Sequence, residues 1–401
     1  MEEPEQPIAR KPKRRDVVVV ALLAALALGS ATVWMKFLAR RPDAASRAKR
    51  LAAQYVGEPT CRACHPGITA QQSRSGHART LRLAKGVRIA AKLDGQTGID
   101  RESPGTTFSY HLKDGVFSTT RQSLDASPEE LLIQYALGSG THATTFVTLN
   151  DSKSAAGGSL EHRLTHFSDA GGGRLDITPG QDERTTLKRG VKTPQGRALN
   201  AEETLKCFDC HATILSDRGP GRLDVESMVA NVSCERCHGP GRAHVEAARK
   251  GDNNLKMPFG EGRETASSEL RMCGYCHRLP EMAPPGGVRE DNLELVRFQP
   301  VGLMQSQCYK QSTGALRCTT CHDPHTKTST DLAGYEERCL SCHSTTSKAV
   351  CSESSRPKTG CVGCHMPKLD AGQGILFSDH WIRVHDAFPL EKSKPVAPSH
   401  P

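Results

Sequence analysis

Seven times the chain repeats one arrangement: two cysteines separated by two residues, with a histidine directly after the second. The pairs are Cys61/Cys64, Cys207/Cys210, Cys234/Cys237, Cys273/Cys276, Cys318/Cys321, Cys339/Cys342 and Cys361/Cys364. The histidines are His65, His211, His238, His277, His322, His343 and His365. Two thiols at this spacing can add across the two vinyl groups on one edge of a porphyrin, and the next imidazole then meets the iron from one face. Zinc ribbons pair cysteines in the same way but require no adjacent histidine. Disulfide scaffolds are usually far shorter than 401 residues. Seven copies point to seven covalent haem c groups.

Each iron would have a second axial position. Ten histidines lie outside the motifs: His77, His111, His142, His162, His166, His244, His325, His380, His385 and His400. Five are expected to be distal metal ligands. His77 stands twelve residues after His65, and a straight helix between them would rise about 18 Å, so it would reach a neighbouring haem. His325 is three residues past His322, with Pro324 turning the chain away from helix, and it too suits an adjacent iron. His244 follows the third motif in CERCHGPGRAH, His142 sits in GSGTH before a strand-like run, and His380 sits in FSDHW. His162, His166 and His385 are weaker candidates, His111 reads as an exposed hairpin residue, and His400 belongs to the tail. Cys308 and Cys351 remain, as a disulfide or as two buried free thiols; spacing leaves both open.

The composition agrees with a haem-filled interior. Only 36% of residues are hydrophobic and 4% aromatic, a thin basis for a side-chain core. The net charge of +9 suggests nucleic acid at first sight. Residues 1–41 supply eight Lys/Arg against four Asp/Glu, leaving +5 for the rest. The propionates of seven haems would more than offset that, so the basic side chains read as propionate partners and no nucleic-acid partner is expected.

The elements around the motifs differ along the chain. Residues 1–41 hold a basic stretch and then Val17–Met35, an uncharged run of 19 residues that nearly spans a bilayer core of about 30 Å. It reads as a transmembrane anchor, with a cleaved secretory signal as the other reading. Basic residues flank both sides, so charge does not orient it; haem attachment, which in bacteria occurs outside the cytoplasm, places the haem domain in the periplasm on a single N-terminal anchor. Residues 42–100 form a first haem-binding segment, with helix expected over Pro66 to Leu93. Residues 101–200 lack motifs, and TFSYHLKDGVFSTT and ATTFVTLND read as antiparallel hairpins. Residues 201–388 form a six-haem domain, and residues 389–401 a disordered tail.

The runs YVGEPTCRACHPGI and SGHA resemble the start of the cytochrome c-554 family of multihaem cytochromes. YALGSGTHATTFV, LDITPG, CERCHGPGRAH, CTTCHDPH, CLSCH and CVGCHMPK followed by FSDHW are similar to its larger multihaem relatives. The resemblance spans about Tyr55 to His385. It implies an α-rich, haem-organised multihaem cytochrome c fold with haems stacked in close pairs, here with a small β-hairpin region between haem 1 and haem 2. It also implies bis-histidine ligation through His77, His142, His244, His325 and His380. Nitrite reductases of the same superfamily use Cys-x-x-Cys-Lys at the catalytic haem, and that motif does not occur here.

The expected function is electron transfer between a membrane donor and a soluble or outer acceptor, with redox proteins as partners, among them a membrane quinol-oxidising complex. The rival is a multihaem oxidoreductase acting on a small nitrogen or sulfur compound at one haem with an open distal site. A third reading is a structural subunit that wires haems into a larger complex.

Overall fold

A computed structural model describes residues 53–151, 154–168, 172–183, 190–217, 223–254, 257, 259–260, 264–343, 360–372 and 374–385. The fold is mixed, with 16 strands among these residues, and the expectation of an α-rich fold with a small hairpin region is corrected. One eight-stranded antiparallel sheet runs in the order Leu81–Leu83, Tyr135–Leu137, Ala143–Asp151, Ser154–His162, Gly196–Leu199, Val191–Thr193, with Leu164–Phe167 and Arg174–Ile177 attached through Ala143–Asp151. A four-stranded sheet orders Thr97–Ile99, Thr107–Lys113, Val116–Ser123 and Ala126–Leu132. Two further hairpins join Ala212–Asp217 to Leu223–Ala230 and Lys368–Asp370 to Leu376–Ser378.

Local chemistry explains the hairpins. Asp114 and Gly115 take φ of 51° and 73°, a turn whose twist matches that of the Thr107–Lys113 and Val116–Ser123 strands it connects. Alternation buries Phe108, Tyr110 and Phe117, and the rings of Tyr110 and Phe117 meet that of Phe146 with centres 6.1 and 5.7 Å apart. Ala90 and Leu93 of the Arg88–Leu93 helix close this core. Helix over all of Pro66 to Leu93 is not found. The α-helix is confined to Pro66–Gln72 and Arg88–Leu93, with short 3-10 turns at His77–Arg79 and Ala84–Gly86, because Leu81–Leu83 leaves as a strand to pair with Tyr135–Leu137.

Elsewhere the helices are short and arranged around the cysteine motifs. The longest, Ala266–His277, has 12 residues and would reach about 18 Å, short of a bilayer core of about 30 Å. Among the described residues no helix is long and apolar enough to cross a membrane. The expected N-terminal transmembrane helix, and the membrane location built on it, are supported by no described helix, and Val17–Met35 itself lies outside the described residues. The expected tail, His400 and Cys351 also lie outside them.

Candidate functional site

Each Cys-x-x-Cys-His motif folds as about one helical turn, which sets the two thiols on one side. The histidine amide donates back to the first cysteine carbonyl, as in His65 to Cys61 (2.8 Å), His322 to Cys318 (2.9 Å) and His343 to Cys339 (2.9 Å). Two motifs end well-capped helices: Asn200 and Glu203 form a capping box ahead of Ala201–His211, and Thr265 with Ser268 does so ahead of Ala266–His277.

The residues between the cysteines lock motifs together. Phe208 is fully buried against the eight-stranded sheet, its ring 5.2 Å from that of Tyr135, and so fastens the second motif to the β region. Glu235, buried in the third motif, accepts the amides of Val56 (2.9 Å), Gly57 (2.9 Å) and Gly241 (2.8 Å), which holds the first motif's helix in place. Asp209 of the second motif accepts from Tyr275 of the fourth and pairs with Arg236 of the third at 3.2 Å. Buried Glu269 accepts the Thr319 amide (2.8 Å) and hydroxyl (3.0 Å), joining the fourth motif to the fifth. Glu336 accepts the Gly360 amide at 2.7 Å, joining the sixth to the seventh.

The thiols follow the same adjacency. Cys61 lies beside Cys234, Cys210 beside Cys276 and Cys273 beside Cys318. Cys339 lies within electrostatic reach of both Cys321 and Cys361. Cys237 lies near Cys276, and Arg236 stacks over the Tyr275 ring at 5.4 Å, so the motifs run first, third, fourth, fifth, sixth, seventh, with the second touching both the third and the fourth.

Cys64, Cys321, Cys342 and Cys364, the second cysteines of the first, fifth, sixth and seventh motifs, are exposed. The physical reason lies in the helices that carry them. Glu58–Cys64, Cys318–Cys321, Leu332–Leu340 and Cys361–His365 bury none of their residues, so nothing draws these turns into a side-chain core. By contrast Ala201–His211, Cys234–His238 and Ala266–His277 bury Phe208, Glu235 and Leu270, and both cysteines of their motifs are half-buried.

The histidines meet in pairs. His65 faces His244 with ring centres 6.2 Å apart, His277 faces His77 at 6.2 Å, His238 faces His325 at 5.9 Å, and His322 faces His380 at 6.1 Å. A metal–imidazole bond of about 2 Å, with the ring centre about 1 Å behind the nitrogen, puts two trans ligands about 6 Å apart centre to centre. Each pair is thus spaced to hold one metal between its rings. Among the described residues no group of three or more His, Cys, Asp or Glu gathers as a metal cluster.

The second nitrogen of these rings is also provided for. Nδ1 donates to a backbone carbonyl in His211 (Thr80, 2.9 Å), His238 (Phe259, 2.9 Å), His365 (Arg383, 2.9 Å), His380 (Ser378, 2.9 Å) and His77 (Pro324, 3.5 Å). His325 donates to the Asp323 carboxylate at 3.0 Å, and His322 Nδ1 lies 3.3 Å from the Tyr335 hydroxyl. An Nδ1–H held this way fixes the tautomer and leaves Nε2 as the lone-pair donor. Burial lowers His211, His277 and His322 below the usual histidine range and pushes His380 down to about 4, so these rings are neutral near pH 7, the form a metal requires.

Of the five expected distal residues, His77, His244, His325 and His380 thus face motif histidines. His142 instead packs its ring 5.5 Å from that of Phe377, beside Lys368, on the hairpin that follows the seventh motif. His111 is exposed on its strand. His162 is buried with Nε2 2.9 Å from the Thr148 hydroxyl, His166 is buried, and His385 lies 3.9 Å from Asp379. Cys308 is a free thiol within electrostatic reach of Cys342. Sequence reasoning missed Asp209, Glu235, Arg236, Glu269 and Asp323; charged residues inside or beside the motifs, as in CFDCH, CERCH and CHDPH, were the available signal.

Residues 180–239 match the family described as cytochrome c554 and c-prime. The chain is 27% identical over 209 residues to the multiheme cytochrome MtrA of Shewanella baltica (strain OS185), a match covering 48% of this chain and 60% of that relative. The chain therefore aligns with less than two thirds of the curated relative it matches. The crystal structure of outer cell wall cytochrome OcwA superposes with a TM-score of 0.46 at 14% identity, covering 82% of this chain and 80% of that one.

Proposed function

We infer that this chain, a multihaem c-type cytochrome, passes electrons along a run of seven covalent haems between redox partner proteins. The observation that carries the reading is the set of four histidine pairs, 5.9–6.2 Å between ring centres, with Nδ1 of His77, His238, His325 and His380 already donated to an acceptor. When bound, haem supplies an iron that cycles between ferrous and ferric.

The protein's own residues do the rest. The seven cysteine pairs would hold the porphyrin edges, and His65, His211, His238, His277, His322, His343 and His365 would bind from one face. His244, His325, His77 and His380 would bind opposite His65, His238, His277 and His322. His142 is proposed as a further distal ligand. A second histidine at a site closes it to substrate and favours carrying electrons over binding small molecules. Asp209, Arg236, Tyr275, Glu235 and Glu269 would keep neighbouring groups in fixed contact, and electron tunnelling falls steeply with distance. The proposed order is first, third, fourth, fifth, sixth, seventh, with the second as a side branch touching the third and the fourth. The first and seventh motifs are the two ends of that run, where redox partners would exchange electrons with it. Stopped-flow reduction of the holoprotein tests this: all haems should equilibrate within one rapid phase. A subset reduced only slowly, independently of the donor, would break the run.

A further inference from the structure

The tetrapeptide His322–Asp323–Pro324–His325 touches axial histidines belonging to three motifs. His322 is itself the fifth motif's histidine, the Pro324 carbonyl faces Nδ1 of His77, and His325 faces His238 of the third motif. Within it, Asp323 Oδ1 accepts both the His325 amide (2.9 Å) and the His325 Nδ1–H (3.0 Å). The corresponding acceptor is a neutral carbonyl for His77, His211, His238, His365 and His380, and a hydroxyl lies beside His322.

That difference has an electronic consequence. A carboxylate draws the Nδ1 proton toward itself more strongly than a carbonyl does, without removing it, and makes the imidazole more basic at Nε2. A more basic ligand stabilises the ferric over the ferrous iron, and hydrogen bonding to axial ligands is one of the protein's means of setting potential. Resting on the ligand reading above, we propose that Asp323 lowers the reduction potential of the haem shared by His238 and His325, making it the low-potential member where the run enters the fourth site. Asp323 and His325 are 54% and 31% exposed, so solvent attenuates the effect without cancelling a direct hydrogen bond.

The test uses the holoprotein in potentiometric titrations followed by electron paramagnetic resonance. His325→Ala should remove one low-spin ferric signal, which identifies this haem. Asp323→Asn keeps the side chain's shape and should retain that signal while moving its midpoint upward; Asp323→Glu should hold the midpoint near that of the parent. If His325→Ala removes no low-spin signal, the pairing and the proposal both fall. If it removes one, and Asp323→Asn leaves that signal's midpoint unmoved or lowers it, the pairing stands and the proposal alone is overturned.

Discussion

His77 and His277 stand nearly at right angles, their ring planes 80° apart across 6.2 Å. The planes of His238 and His325 differ by only 12°, and those of His65 and His244 by 23°. Perpendicular axial imidazoles leave the iron d orbitals nearly degenerate, whereas parallel ones split them. The oxidised protein should therefore show a highly anisotropic low-spin resonance with a large principal g value, alongside ordinary rhombic signals. His77→Ala should abolish the anisotropic signal and leave the rhombic ones. Its persistence would separate His77 from the haem held by Cys273 and Cys276.

His325 should serve a haem other than that of its own motif. His325→Met should raise the potential of the haem on Cys234 and Cys237, since methionine–histidine ligation favours ferrous iron more than two histidines do. The haem on Cys318 and Cys321 should keep its potential and stay low-spin. Site-resolved potentiometry in which every haem is unmoved would make His325 a surface residue.

Glu235 satisfies three backbone amides from two segments, Val56 and Gly57 on one side and Gly241 on the other. Glu235→Ala should cost about 2–4 kcal/mol in denaturant unfolding, the range expected when buried donors lose their acceptor. Glu235→Gln, which keeps one acceptor oxygen, should cost less. Equal stability of all three proteins would remove Glu235 as the clamp on the first motif.

The β region should be acid-sensitive through His162. Burial pushes this ring down to about 4 from the ordinary value of 6.5. The unfolded chain then takes up a proton before the folded one does, so stability is full above pH 6.5 and falls as pH drops from there to 4. At about 1.4 kcal/mol per pH unit the loss is on the order of 3 kcal/mol. His162→Gln should flatten that part of the pH profile, measured by circular dichroism during denaturation. An unchanged slope would assign the acid sensitivity to other groups.

The motif chemistry was legible because it is local: two thiols and an imidazole within five residues define one edge and one face of a porphyrin. How deeply each motif sits was not, since the exposure of Cys64 and Cys364 depends on what their short helices pack against. That the rings of His77, His244, His325 and His380 would stand near motif histidines was readable from their placement in short turns near motifs. Which motif each faces was not, because those pairings close over separations as long as that between His77 and His277. The sheet was underestimated for the same reason. Leu81–Leu83 is three residues long and exists as a strand only because Tyr135–Leu137 lies beside it, and Gly196–Leu199 depends in the same way on Ser154–His162. The hairpin after His211 carried a readable signal in the alternation of LDVESMV.

The central claim is tested most directly by counting covalent haems. Intact-mass measurement of the purified protein under denaturing conditions should show the polypeptide plus seven haems, one for each Cys-x-x-Cys-His motif, with no stoichiometric zinc. A polypeptide carrying fewer than seven, or zinc in place of haem, would contradict the account.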